Sequence, residues 1–171
     1  MPRNIEIKAH APNFVDIKTR AEALSDTPCE IITQEDTFFP TPQGRLKLRI
    51  HGSGSAELIY YSRTDTTGPK RSDYFFYPTG DPDSLRKVLA LAYGVRGTVR
   101  KRRFVYHIGQ SRIHLDEVEN LGNFVEIEVI MHPGQTDAQG QATSQELMQK
   151  LGIQPADLLD RAYMDLIELA T

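Results

Sequence analysis

A chain of 171 residues, 39% of them hydrophobic, can bury a core for one domain and is short for two, so a single domain over 1–171 is expected. Lys and Arg total 20 against 23 Asp and Glu, and the net charge of -3 excludes a nucleic-acid binder that works by bulk charge. The single cysteine, Cys29, excludes an intramolecular disulfide framework, and the start MPRNIEIK carries neither an apolar signal core nor a spanning segment, so a soluble, cytoplasmic protein with no nucleic-acid and no membrane partner is expected.

Alternation in Asn4-Ile5-Glu6-Ile7-Lys8 predicts a strand with Ile5 and Ile7 on one face and Asn4, Glu6 and Lys8 on the other. Asn13, with Asp16 three residues on, reads as the N-cap of a helix to about Leu24, whose stripe is Phe14, Ile17, Ala21 and Leu24. Gln34 to Phe39 is a strand closed by Pro40 and Pro42. Arg45 to Ile50 alternates most sharply of all, with Arg45, Lys47 and Arg49 on one face. Like charges at period two repel unless something anionic lies opposite. The following HGSGS is a hairpin turn and no phosphate-binding loop, since neither lysine nor helix follows it.

Glu57 to Arg63 is a strand of ambiguous phase, with Leu58 and Tyr60 on one side and Ile59, Tyr61 and Arg63 on the other. A strand from about Lys70 to Tyr77 ends at Pro78. Asp81 to Tyr93 carries Leu85, Val88, Leu89 and Ala92 at helical spacing, and Gly94 stops it. From Val99 a strand puts Lys101 and Arg103 on one face with Val105. Arg112 to Val129 then forms a hairpin in which Arg112, His114 and Asp116 share a face of the first strand. On its second strand Glu126 and Glu128 oppose Val125, Ile127 and Val129. After this strand-rich part, which runs to about residue 131, come C-terminal helices within 143–170. Thr143 with Glu146 predicts a capping box for a helix ending at Gly152, and Pro155 opens a last helix carrying Leu158, Leu159, Ala162, Leu166 and Ile167. That stripe suits either a barrel mouth or the interface of a homodimer.

Seven or eight strands with a few helices make an α+β fold, either a layered sheet or a sheet closed on itself. The charged faces alternate cleanly, and a closed barrel of about eight strands has room inside for side chains or one small ligand. Such charges buried dry and unpaired are costly, so a closed barrel requires a wet interior loaded with ligand. A cationic wall facing carboxylates suits a polyphosphate whose oxygens take Lys and Arg bonds, bridged to Asp and Glu by Mg2+ or Mn2+. The pattern leaves an open sheet with a solvated polar face as the alternative.

The segments NIEIK, QEDTFF, GRLKLR, VRKRR and LDEVENLGNFVEIEV resemble those of the CYTH family of triphosphate tunnel metalloenzymes, which includes class IV adenylate cyclases, thiamine triphosphatases and inorganic triphosphatases. The resemblance implies a closed or nearly closed antiparallel β-barrel with helices outside. It implies a metal site at Glu6, Glu126 and Glu128, with Lys8 and Asp116 as catalytic residues. Phosphates would be held by Lys8, Arg45, Lys47, Arg49, Lys101 and Arg103, with Arg112 and His114 as secondary contacts and Lys70 or Arg71 as a further cation. Two positions depart from the family pattern: Asn4 stands where its first glutamate is usual, and Tyr61 where many members have lysine. The activity implied is metal-dependent hydrolysis of a triphosphate such as ATP, thiamine triphosphate or tripolyphosphate. The alternatives are a class IV-type adenylate cyclase making cyclic AMP and pyrophosphate, and a non-catalytic binder of polyphosphate or nucleotide.

Other candidates carry less. The five histidines show no zinc spacing, Cys29 has no nearby base, and the aromatic run Tyr74 to Tyr77 fits base stacking or plain strand propensity equally.

Overall fold

The computed structural model describes residues 2–170. Eight strands, β1 (Arg3–His10), β2 (Glu30–Phe39), β3 (Arg45–His51), β4 (Ala56–Arg63), β5 (Lys70–Thr79), β6 (Gly97–Ile108), β7 (Ser111–Val118) and β8 (Gly122–Ile130), pair antiparallel in the order β5-β4-β3-β2-β6-β7-β8-β1. The β1–β5 pairing, Glu6 opposite Lys70, closes the sheet into a barrel. Closure sends alternate residues of every strand into the lumen, which turns the alternating charged faces of the sequence into one enclosed wall.

The opposite faces form the core. Ile5, Ile7, Phe104, Tyr106, Ile113, Leu115, Val125, Ile127 and Val129 are buried under α1 (Phe14–Leu24) and α3 (Asp137–Leu151), which contribute Ile17, Ala21, Leu147 and Leu151. The hydrophobic transfer of these side chains, about 25 cal/mol per Å² of apolar surface removed from water, offsets the cost of gathering charge inside the barrel. The second helix in chain order, α2 (Pro82–Tyr93), starts on an Asp81 cap and ends at Gly94 as its sequence predicts. It buries no residue, and Val88 of its expected stripe is 62% exposed. It is tied down instead by an ion pair from Arg86 to Glu35 on β2.

The C-terminal third differs from the sequence reading in three ways. The capping box is Thr136 with Gln139, seven residues before the expected one, while Thr143 lies inside α3 and its hydroxyl donates to the Gln139 carbonyl. The S/T-x-x-E/Q pattern occurs twice here, and the helix starts at the first copy. Gly140 allows this, because a Cβ there would lie 2.6 Å from Ile5 and Met131 side-chain atoms. Pro155 opens only a 3-10 turn, Pro155–Asp157, followed by a two-residue strand β9 (Leu158–Leu159). That strand pairs with Lys8 and Ala9, along the stretch of β1 beyond its pairing with β5. The final helix, α4 (Tyr163–Ala170), then lies at one end of the barrel. There Tyr163 and Met164 join Phe38, Val99, Val118 and Phe124 in a second apolar cluster that forms a floor. Asn13 precedes α1 but its side chain makes no capping bond. Among the described residues no helix is long and apolar enough to cross a membrane.

Candidate active site in the barrel lumen

The lumen holds a cavity of about 470 Å³, within the range of small-molecule pockets. Glu6 and Lys8 of β1, Lys47 and Arg49 of β3, Lys101 and Arg103 of β6, Arg112 and His114 of β7, and Glu126 and Glu128 of β8 all line it. Asn4, Asp36, Tyr61, Arg63 and Tyr163 line it as well. Four residues singled out in the sequence sit elsewhere. Arg45 is bound to Asp65 at 2.8 Å and to Asp165 of α4 at 2.9 Å. Lys70 is buried, donating to the carbonyls of Thr66 at 2.8 Å and Asp160 at 3.3 Å. Asp116 is fully buried behind the wall. Arg71 points outward to Asp73.

Charge within the lumen is organised in three groups. In the first, Asp36 takes two bonds from Arg49, at 2.8 and 2.7 Å, with Lys47 at 3.2 Å and Lys101 at 3.4 Å. This is the anion that the like-charged β3 face requires, and the register sets it directly opposite Arg49. Burial pushes the Asp36 carboxyl up, but Arg49, Lys47 and Lys101 outweigh it and hold it well below the usual carboxylate range. Burial and the neighbouring Arg49 lower Lys47 to about 8. Burial, with Arg103 and Arg49 adding to it, brings Lys101 well below an ordinary lysine despite Asp36.

The second group is built through α4. Arg103 makes two 2.7 Å bonds to Asp116, and the Tyr163 hydroxyl donates to the same carboxylate at 2.7 Å. The Tyr163 ring lies under Lys8, whose Nζ is 3.6 Å from the ring centroid. Asp116 thus fixes a tunnel arginine and the floor tyrosine rather than facing the cavity. Burial raises its carboxyl, yet Arg103 brings it below the usual value.

The third group holds the carboxylates read as metal ligands. Glu126 pairs with Lys8 at 3.1 Å, with Arg103 at 3.5 Å and His114 at 3.6 Å nearby. Glu6 pairs with Arg63 at 2.9 Å. Glu128 pairs with Arg112 at 3.0 Å and accepts from the Asn4 amide. Burial raises the Glu6 carboxyl; Arg63 opposes this, and Glu126 and Glu128 add to it, so three carboxylates feel one another across the lumen. The donor set is all oxygen, as a hard divalent cation prefers, and the Asn4 Oδ1 is a buried acceptor with no partner. The chemistry therefore fits a hard divalent cation. Among the described residues no three of His, Cys, Asp and Glu already form a closed metal shell; each carboxylate is neutralised by its own cation instead.

Asp36, Arg63 and Tyr163 are cavity-lining residues that the sequence reading passed over. Asp36 shares a face with Gln34 and Phe38, and its parity was readable. Arg63 was hidden by the ambiguous phase of β4. Nothing in the pattern of the last helix marks Tyr163.

Residues 2–163 match the family model for the CYTH domain. The chain belongs to the CYTH domain family. Similar solved structures include PH1012 from Pyrococcus horikoshii OT3, 27% identical, with a TM-score of 0.85 over 95% of this chain and 98% of that one. A proposed adenylate cyclase from Vibrio parahaemolyticus is 19% identical, with a TM-score of 0.77 over 96% and 97% of the two chains. A Hippeastrum adenylyl cyclase candidate with a dominant triphosphatase activity is 14% identical, with a TM-score of 0.69 over 100% and 97%. No curated protein sequence matches the chain. The last two likenesses establish the CYTH barrel fold alone.

Proposed function

We propose that this CYTH protein is a divalent-metal-dependent triphosphatase that binds a triphosphate inside the barrel and hydrolyses it. The observation that carries the reading is the enclosed face-off of Lys47, Arg49, Lys101 and Arg103 with Glu6, Glu126 and Glu128 around one cavity. Phosphoryl transfer asks a protein mainly for positioning and electrostatic stabilisation, so these groups suffice without a nucleophilic side chain.

Lys8, Lys47, Arg49, Arg63, Lys101 and Arg103 bind the phosphate oxygens. Glu6, Glu126 and Glu128, with the Asn4 amide oxygen, would hold the Mg2+ or Mn2+, which would supply neutralisation of phosphate charge and polarisation of the phosphorus. Binding would then exchange partners: Lys8 and Arg63, now paired with Glu126 and Glu6, would turn to phosphate oxygens and free those carboxylates. Asp116 and Tyr163 keep Arg103 aimed into the lumen, and Lys8 over the tyrosine ring takes the phosphoryl group undergoing attack. A water molecule attacks the terminal phosphorus, the bond to the bridging oxygen breaks with its electron pair staying on the diphosphate part, the water's proton passes to solvent, and orthophosphate is released.

Purified protein incubated separately with tripolyphosphate, thiamine triphosphate and ATP, each with Mg2+ or Mn2+, tests this reading. Orthophosphate release is the expected result. Cyclic AMP with pyrophosphate from ATP would replace it with a cyclase, and tight binding without turnover under every metal would reduce it to a binder.

A further inference from the structure

The four arginines that line the lumen, Arg49, Arg63, Arg103 and Arg112, are not used alike. Arg49 closes the edge formed by its Nε and Nη2 on Asp36, at 2.8 and 2.7 Å, and Arg103 does the same on Asp116, with both bonds at 2.7 Å. Arg112 turns the same two nitrogens to Glu128, at 3.1 and 3.0 Å. Arg63 differs. It meets Glu6 through Nη1 at 2.9 Å, and its Nε has no hydrogen-bond partner among the described residues, although the side chain is only 4% exposed. The Nε/Nη2 edge is the part of a guanidinium that two oxygens of one anion fit. A buried donor left unpaired is a cost that folding does not repay.

A second observation lies two residues earlier on the same face of β4. The Tyr61 ring lines the cavity with three cations around it: Lys47 Nζ at 5.2 Å from the ring centroid, Arg45 at 5.9 Å and Arg63 at 6.0 Å. None of these can accept a hydrogen bond, while a phenol has one to donate. Burial pushes the Tyr61 hydroxyl up to about 12, so it stays a donor at neutral pH. Two neighbouring donors, one charged and one neutral, thus want oxygen acceptors, and Lys47 lies on their flank. A carboxylate can cover the Arg63 edge, but a tetrahedral oxyanion covers that edge with two oxygens and has others for Tyr61 and Lys47.

We infer that Arg63 and Tyr61 form a seat for a single phosphoryl group, and that this seat takes its anion without a metal ion. The other lumen arginines must give up a carboxylate to offer the same edge, whereas Arg63 can hold Glu6 by Nη1 and an oxyanion by Nε and Nη2 together. Capture of the anion then precedes both the metal and the exchange of partners by Lys8 and Arg63. Orthophosphate and the end of a polyphosphate share the chemistry that the seat recognises. On the triphosphatase reading of the cavity, on which this consequence rests, the released orthophosphate competes with substrate for the seat.

Calorimetric titration of inorganic phosphate into the protein in EDTA tests the seat apart from turnover. One site per chain is expected. Arg63→Lys keeps a charge for Glu6 but loses the fork, and should weaken phosphate about tenfold or more, the worth of a hydrogen bond to a charged group. Tyr61→Phe keeps the ring among its cations and should weaken phosphate about threefold to tenfold, with an unchanged far-UV circular dichroism spectrum. Should Arg63→Lys fail to fold, Tyr61→Phe decides alone. Absence of phosphate binding in EDTA, or an affinity that the folded variants leave unchanged, overturns the inference. Turnover of tripolyphosphate with Mg2+ separates the two readings. A protein that hydrolyses tripolyphosphate but binds no phosphate in EDTA keeps the triphosphatase reading and loses the seat. One that binds phosphate through Arg63 and Tyr61 but hydrolyses nothing keeps the seat and loses the triphosphatase reading.

Discussion

Asp36→Asn removes the one anion that three tunnel cations share. Asp36 is 1% exposed and holds Arg49 through two bonds of 2.8 and 2.7 Å, with Lys47 at 3.2 Å and Lys101 at 3.4 Å. Deleting one partner of a buried ion pair costs about 3–5 kcal/mol, because the remaining charge stays desolvated. For a chain of this size that is a loss of about 10 °C in Tm. Lysine relieves part of it by giving up a proton, and arginine cannot. The loss should therefore shrink as pH rises past about 8, where Lys47 becomes neutral. Urea denaturation of parent and variant at pH 7 and pH 9.5 measures both effects. Tripolyphosphate supplies the missing anion, so it should raise the Tm of the variant more than that of the parent. A variant within about 1 kcal/mol of the parent at pH 7, a difference typical of surface substitutions, would show that Asp36 does not neutralise this wall.

Lys47 gives a pH signature of its own. In the free protein burial and Arg49 lower it to about 8 from 10.5, so between those values the folded chain binds fewer protons than the unfolded one, and this lysine makes stability rise with pH there. A phosphate beside it favours the charged form, so triphosphate binding above pH 8 should take up protons and weaken by up to about tenfold per pH unit. Calorimetry in two buffers of different ionisation enthalpy reads the uptake, and Lys47→Arg should reduce it. Glu126→Gln and Glu128→Gln should each abolish metal-dependent turnover with an unchanged far-UV circular dichroism spectrum; full activity in both would refute the assigned metal ligands. Tyr163→Phe keeps the ring under Lys8 and loses only the bond to Asp116. It should cost about 1.5–3 kcal/mol in denaturation, the usual worth of a hydrogen bond to a charged group, and lower kcat more than it raises KM if Arg103 is thereby loosened.

The barrel strands were legible because alternation, once one face is buried, fixes which way each side chain points. Arg45, Lys47 and Arg49 implied an anion opposite, and Asp36 is that anion. Parity could not say how far each charge reaches. Arg45 lies on the same face as Lys47, yet it is taken by Asp65 and Asp165 outside the cavity. Asp116 has the parity of His114, but the β6–β7 register puts it against Arg103, and that pairing keeps Asp116 out of the lumen that Arg103 still lines. The last helix was the least legible part. Its leucines read equally well as one amphipathic helix from Pro155, and only the free edge of β1 at Lys8 and Ala9 explains why Leu158 and Leu159 become strand.

The departure at Asn4 gains meaning from its partners. Where the family resemblance leads one to expect a glutamate, the Asn4 amide donates to Glu128 and leaves its own oxygen without a partner. A carboxylate in that place would bring a second negative charge against Glu128, and without a cation between them the pair would be costly to bury. The amide removes that cost, keeps an oxygen for a hard cation, and leaves one unit less of negative charge to hold it. Lys8 on Glu126, Arg63 on Glu6 and Arg112 on Glu128 complete the same logic. The tunnel is neutralised from within, so the barrel closes over its charges without a ligand, and binding works against ion pairs already made. If the proposed function holds, affinity comes from ligands that satisfy both sides of the exchange at once, an anion for the cations together with a metal for the carboxylates. On the proposed function, that requirement favours a metal-bound triphosphate over a bare anion of equal charge.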